Sequence, residues 1–315
     1  MAVESTARRE SIALRGARAA LLRSCATMRN RLPVALFALL LASAAFANHL
    51  QVPKGETLVH VERSAWQTIV VTDSATRRCL RFGAATDAFN QSCQLLGKPT
   101  HLALDYTRAM AALLLLWQPA PKRVLLIGVG GGSLPKALAV VRPELEIDAV
   151  DIDEAVLRIA ERFFGLAAGP RLRLHAADGR AFVAEARARG ERFDAVLLDA
   201  FDADGIAPAL FSEEFLRDVR GLLAPGGVFL ANTFTAPAAY TRESAAAEAV
   251  FGRFLNVRLA DRGGNRMLVA AADQAALPGR AELLSTLPAQ RAALARIGID
   301  DPWLRRLRFI GRDWQ

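Results

Sequence analysis

Four glycines and a valine form the run Gly128-Val129-Gly130-Gly131-Gly132, which leads directly into Ser133. Beyond it, aspartates recur: Asp151 with Asp153 just behind, Asp178 followed by Gly179, and Asp199 with Asp202 three residues on. Glycines at a turn let the backbone approach a ligand closely, and free N–H groups at a helix start favour an electron-rich group. A phosphate loop is excluded, because the turn lacks Gly-Lys-Ser/Thr and Lys136 lies too far along. Asp151, about 20 residues after Gly130, is placed to hold the two hydroxyls of a ribose. Asp178 can accept from an adenine amino group. Asp153 and Asp204 read as helix caps or turn residues.

The elements around these residues follow from hydrophobic periodicity. From Glu56 to about Leu96 short runs rich in Val, Ile, Thr and Leu, broken at Asp73, Ser74 and Gly83, predict a small antiparallel β-domain. A helix over 102–117 ends at Gln118-Pro119-Ala120-Pro121. Strands are then predicted at 124–129, 146–152, 172–177, 194–200 and 227–234, alternating with helices at 133–141, 153–163, 179–188, 212–223 and 242–254. Continuous apolar strands between amphipathic helices imply a parallel sheet covered on both faces, a doubly wound, Rossmann-like α/β domain. Ligands bind outside the carboxyl ends of such strands, where the aspartates stand. Residues 257–261 and 265–271 read as a closing hairpin, and 274–315 as a helical tail serving as lid or interface. The domains expected are a leader (1–47), a β-strand domain (48–101), the Rossmann-like catalytic domain (102–272) and the tail (273–315).

Composition narrows the class. With 52% hydrophobic and 23% charged residues, the chain is neither disordered, collagen-like nor a many-helix membrane protein. The net charge is +8, but residues 1–31 hold seven Arg against Glu4 and Glu10, leaving +3 for the rest. No basic stripe marks that remainder, so no nucleic-acid partner is expected. Leu32–Ala47 is an uncharged run of 16 residues behind Met28-Arg29-Asn30-Arg31, ending Ala45-Phe46-Ala47. At roughly 24 Å as a helix it falls short of a ~30 Å hydrocarbon core. It reads as a signal peptide cut after Ala47, the alternative being a retained membrane anchor; either way the body is exported, to the periplasm or beyond. Cys25 falls in the leader, leaving Cys79 and Cys93 as a disulfide or as two small buried residues. The histidines at 49, 60, 101 and 175 have no paired spacing, and no metal is expected.

Taken jointly, the motifs resemble the polyamine aminopropyltransferase (spermidine synthase) family over residues 56–272. Ser64-Ala65-Trp66-Gln67 resembles that family's Ser-x-Tyr-Gln, and Tyr106 its Tyr ahead of the glycine loop. Asp151-Ile152-Asp153 is similar to its ribose-gripping acid-Ile-Asp, Asp178-Gly179 to the pair beside adenine, and Asp199-Ala200-Phe201-Asp202, with Gly205 and Pro208, to its catalytic loop.

The resemblance implies an enzyme of polyamine biosynthesis that moves an aminopropyl group from decarboxylated S-adenosylmethionine to an amine such as putrescine. Asp199 would be the base, with Tyr106 and Asp202 positioning the amine; Gln67, Gly128, Gly130, Gly131, Asp151, Asp178 and Gly179 would hold the donor. The partners implied are a polyamine or other amine and, in a homodimer, a second copy of the chain. Two positions depart from the family's pattern. Gly131 stands where its loop has an Asp that helps hold the donor's amino end, and Arg108 puts a cation where the acceptor's charge is expected. Gly131 leaves room for a carboxylate on the donor, so one alternative is a methyltransferase using S-adenosylmethionine. Another is a non-catalytic exported nucleoside- or polyamine-binding protein.

Overall fold

Short runs separated by turn residues, rich in β-branched side chains in the first two, fold into a five-stranded antiparallel sheet, β1 (Thr57–Arg63), β2 (Thr68–Asp73), β3 (Arg77–Phe82), β4 (Ser92–Leu95) and β5 (Lys98–Leu102), in sequential order. The computed structural model describes residues 52–84, 90–201, 208–259 and 264–310. All of these fall in one of the chain's two units, Val52–Gln315. Cys79 and Cys93 are register partners on β3 and β4, with Cα atoms 4.1 Å apart, and a disulfide joins them. Of the two readings open for these cysteines, the structure therefore has the bridge. Ile69, Val71 and Leu80 of this sheet share a core with Ala155, Val156 and Ile159, so it packs directly on the larger domain.

The run that follows becomes α1 (Asp105–Leu116), polar in its first turn and then wholly apolar and buried on every side from Ala109 to Leu116. Next come β6 (Arg123–Ile127), α2 (Ser133–Val141), β7 (Glu146–Asp151), α3 (Glu154–Phe164), β8 (Leu172–Ala176), α4 (Gly179–Ala188) and β9 (Phe193–Leu198). Then follow α5 (Glu213–Leu222), β10 (Leu223–Phe234), α6 (Pro237–Phe251), β11 (Leu255–Leu259) and β12 (Asn265–Ala271). The chain closes with α7 (Arg280–Ser285), α8 (Leu287–Arg296), α9 (Asp301–Leu304) and β13 (Leu307–Ile310).

Strand order in the second sheet is β13-β11-β12-β10-β9-β6-β7-β8. From β8 to β10 neighbours are parallel, while β12, β11 and β13 extend the sheet antiparallel. Successive side chains alternate between faces. Val124 and Leu126 accordingly enter a core with α1, α2 and the C-terminal helices, while Leu125 and Ile127 enter one with α4, α5 and α6. The fold is thus the doubly wound, Rossmann-like sheet expected, with a small antiparallel sheet before it. Central strand β6 lies between β7 and β9, the point where strand order reverses and a crevice opens.

Two stretches differ from expectation. Helix α6 begins at Pro237 rather than 242, because proline presets φ for a first helical turn. The tail is not helical throughout: Leu307 and Phe309 alternate with Arg306 and Arg308, and this short period-2 run pairs with β11 as an edge strand. Nor is it a lid, since Leu283, Leu294, Ile297 and Trp303 are buried in the core beside α1. No helix among the described residues is long and apolar enough to cross a membrane.

Because the bridge closes a loop of sequence separation 14, the double variant Cys79→Ala/Cys93→Ala is expected to lose about 3 kcal/mol of stability by loop entropy. Urea unfolding of both proteins without reductant measures it.

Candidate active site

The tips of β6, β7 and β9 converge because the chain after β6 turns at a residue that can have no side chain. Gly128 has φ of +92°, and a Cβ there would run into the backbone of Asp199 and Ala200, 2.7 Å from the Ala200 nitrogen. Gly128 N donates to Val150 O and Asp199 N to Ile127 O, each at 2.8 Å, so the ladder continues to the cleft edge. Asp151 at the tip of β7 holds the glycine turn: Oδ2 accepts from Val129 N at 2.9 Å and Gly130 N at 3.4 Å, and Oδ1 from Asp153 N at 3.0 Å.

Most residues singled out from sequence line one cleft: Gln67, Tyr106, Gly128, Gly130, Asp151, Asp178, Gly179 and Asp199. Asp202, Asp204 and Gly205 lie outside the described residues. Gly131 does not line the cleft. Its Cβ position lies 2.8 Å from Ser92 Oγ and 3.0 Å from Phe164 Cδ1, so the space read as room for a donor's carboxylate is filled by protein. Arg108 does not line it either. Two residues past Tyr106, it points roughly 200° away around α1, where Nε donates to Leu102 O at 2.7 Å. The repulsion expected between Arg108 and a cationic substrate is thereby removed.

Two acids carry loads that spacing could not reveal. A carboxylate has about four acceptor positions, and Asp151 spends three on backbone amides. That leaves about one for a ribose hydroxyl instead of a two-hydroxyl grip. Asp178 Oδ1 caps α4, accepting from Arg180 N and Ala181 N, so Oδ2 is its oxygen for a ligand. Asp153 is a cap, as read: Oδ1 accepts from Ala155 N and Oδ2 from Ser64 Oγ.

The electrostatics single out Asp199. It is half-buried at the cleft, and loss of hydration pushes its pKa up to about 7, against a hydrogen bond from Asn232 Nδ2 at 2.9 Å. A carboxylate so poised can take a proton at neutral pH. Burial and the charge of Asp199 push the Tyr106 phenol well above its ordinary value, which keeps it neutral. Tyr106 donates its proton to Gln91 O at 2.7 Å, so its oxygen lone pairs remain to accept from an ammonium. Among the described residues no group of three His, Cys, Asp or Glu could hold a metal ion.

Sequence reasoning missed the wall formed by Gln91 and Ser92, and also Asn232. Asn232 left a signal, a lone amide inside the apolar run GVFLANTF, since buried polar groups need partners. Gln91 and Ser92 left none, because they reach the cleft only through packing of the small sheet.

The chain is similar to known proteins in sequence and in fold. The spermine/spermidine synthase domain profile matches residues 103–250. A polyamine aminopropyltransferase of Vibrio vulnificus is 38% identical over 235 residues, covering 73% of this chain and 78% of that protein. The structure of human methyltransferase-like protein 13 in complex with SAH has a TM-score of 0.57 at 29% identity, covering 64% of this chain and 98% of the other. A probable spermidine synthase from Corynebacterium glutamicum shares the fold, with a TM-score of 0.61 at 18% identity, covering 80% and 90% of the two chains.

The desolvated acid also marks stability. With the folded pKa raised from 3.8 to about 7, the folded state holds a proton that the unfolded chain releases, so stability falls as pH rises between these values. Asp199→Asn is uncharged throughout. Its melting temperature is expected to draw ahead of the parent's over that range, by on the order of 5 °C above pH 7. Thermal melts of both proteins at a series of pH values measure the gap.

Proposed function

Since the chain belongs to the spermine/spermidine synthase family, we propose that it transfers an aminopropyl group from decarboxylated S-adenosylmethionine to an amine such as putrescine. The observation that carries the reading is Asp199, a half-buried acid with a pKa of about 7 on the same cleft as the glycine turn and Asp151. The donor's sulfonium makes the adjacent methylene electrophilic. An acceptor ammonium that gives a proton to Asp199 gains the lone pair with which to attack. The C–N bond forms as the C–S bond breaks, its electrons going to sulfur, and methylthioadenosine leaves. Tyr106 accepts from the amine, the turn and Asp178 seat the nucleoside, and in-line placement supplies much of the rate.

A second reading, methyl transfer from S-adenosylmethionine, is favoured by one observation. The glycine turn carries no acid, so a carboxylate on a donor seated beside it would meet no like charge from the turn. Location also belongs to the proposal: the body works outside the cytoplasm, a reading supported by the Cys79–Cys93 bridge and the basic-apolar leader.

Purified protein given decarboxylated S-adenosylmethionine and a panel of amines is expected to release methylthioadenosine and an aminopropylated amine. Its kcat/KM should fall as pH drops below about 7. Asp199→Asn should lose roughly 10²–10⁴-fold. No aminopropyl product with any amine, together with methylation from S-adenosylmethionine, would select the second reading. Thiol labelling in cells tests the compartment: Cys79 and Cys93 should react only after reduction, and free thiols would contradict export.

A further inference from the structure

We infer that Asn232 and Asn265 form a two-amide relay that orients the Asp199 carboxylate and favours its ionised form, making them positioning residues for the proton-accepting step. The inference rests on the reading of Asp199 as the base. Strand register builds the relay. Ala231 of β10 pairs with Leu198 of β9, so Asn232 stands beside Asp199. Across the sheet Asn232 faces Met267 of β12, and Asn265, two residues earlier, is its diagonal neighbour on the same face. Asn265 Nδ2 donates to Asn232 Oδ1 at 3.0 Å, and Asn232 Nδ2 donates to Asp199 Oδ1 at 2.9 Å.

Both donors point the same way. An ionised carboxylate only accepts, so the Asn232 amide must turn its NH₂ towards Asp199 and its oxygen away. Asn265 occupies that oxygen and so disfavours the flipped amide that would accept a hydrogen bond from a protonated acid. Hydrogen bonds in such a chain polarise one another. Among the described residues Asp199 Oδ2 has no hydrogen bond, which leaves it for the substrate's proton. The other charged or titratable groups on the cleft are Tyr106 from α1, Asp151 from β7, and Asp178 and Arg180 around the start of α4. The Tyr106 hydroxyl is committed to Gln91, Asp151 and Asp178 bind backbone amides, and Arg180 pairs with Glu214. Asp202 lies outside the described residues. Asn232 is thus the hydrogen-bond donor to Asp199 among the described residues, and Asn265 sets which end of its amide is presented.

The test follows the carboxyl itself. Protein labelled with ¹³C at aspartate carboxyls is titrated from about pH 5 to about pH 9, with the Asp199 resonance identified by its loss in Asp199→Asn. The parent midpoint is expected at about 7. Asn232→Leu should raise it by about one unit or more, and Asn265→Ala by less. Asn265→Ser, which keeps a donor, should fall between Asn265→Ala and the parent. The acidic limb of kcat/KM should move with the midpoint while KM for the donor holds. An unchanged midpoint in either Asn232→Leu or Asn265→Ala overturns the relay; if Asn232→Leu does not fold, Asn265→Ala decides alone. If the parent makes no aminopropyl product but the midpoints shift as expected, the proposed reaction fails and the relay stands.

Discussion

Backbone meets backbone where Gly128 passes Asp199, and the site is arranged around that contact. No side chain fits between the two strand tips, so the glycine turn and Asp199 share one crevice at the sheet's reversal point. Asp151 then spends about half of its acceptor capacity on the turn's amides and a further position on Asp153 N. The price is a narrower grip on any ribose, and what it stabilises is a rigid rim at which a ligand can meet Asp199.

The small N-terminal sheet supplies the opposite wall, stitched on by polar contacts that cross between the sheets. Ser133 Oγ donates to Cys93 O, the Tyr106 hydroxyl to Gln91 O and Lys136 Nζ to Gln94; within the larger domain Lys136 Nζ also donates to Phe164 O. Burial lowers the pKa of Lys136 to about 8. Through those two acceptors it ties β4 and the end of α3 to α2. The disulfide braces the same strand one residue from Ser92. A cleft shared by two sheets is held in shape by such ties, since neither sheet encloses it alone.

Much of the site could be read along the chain because its parts stand at strand ends, where periodicity breaks and acids or glycines stand out. Asp178, Asp199 and Gly128 were legible in this way, and Asp153 was legible as a cap. Arg108 was misread, because spacing gives a residue's place along a helix but the direction of its side chain depends on what the helix packs against. Gly131 was misread for a related reason: the volume beside it belongs to Ser92 and Phe164, from distant parts of the chain.

The sequence by itself determined the alternation of strands and helices, the glycine turn and the acids at the strand tips, because these follow from local periodicity and from backbone limits on individual residues. Tertiary structure alone decided which acid loses its water, which amide donates to it, that Cys79 faces Cys93, and that the C-terminal segment closes as an edge strand. Those outcomes depend on burial and cross-strand register, which are set by contacts between segments far apart in the chain.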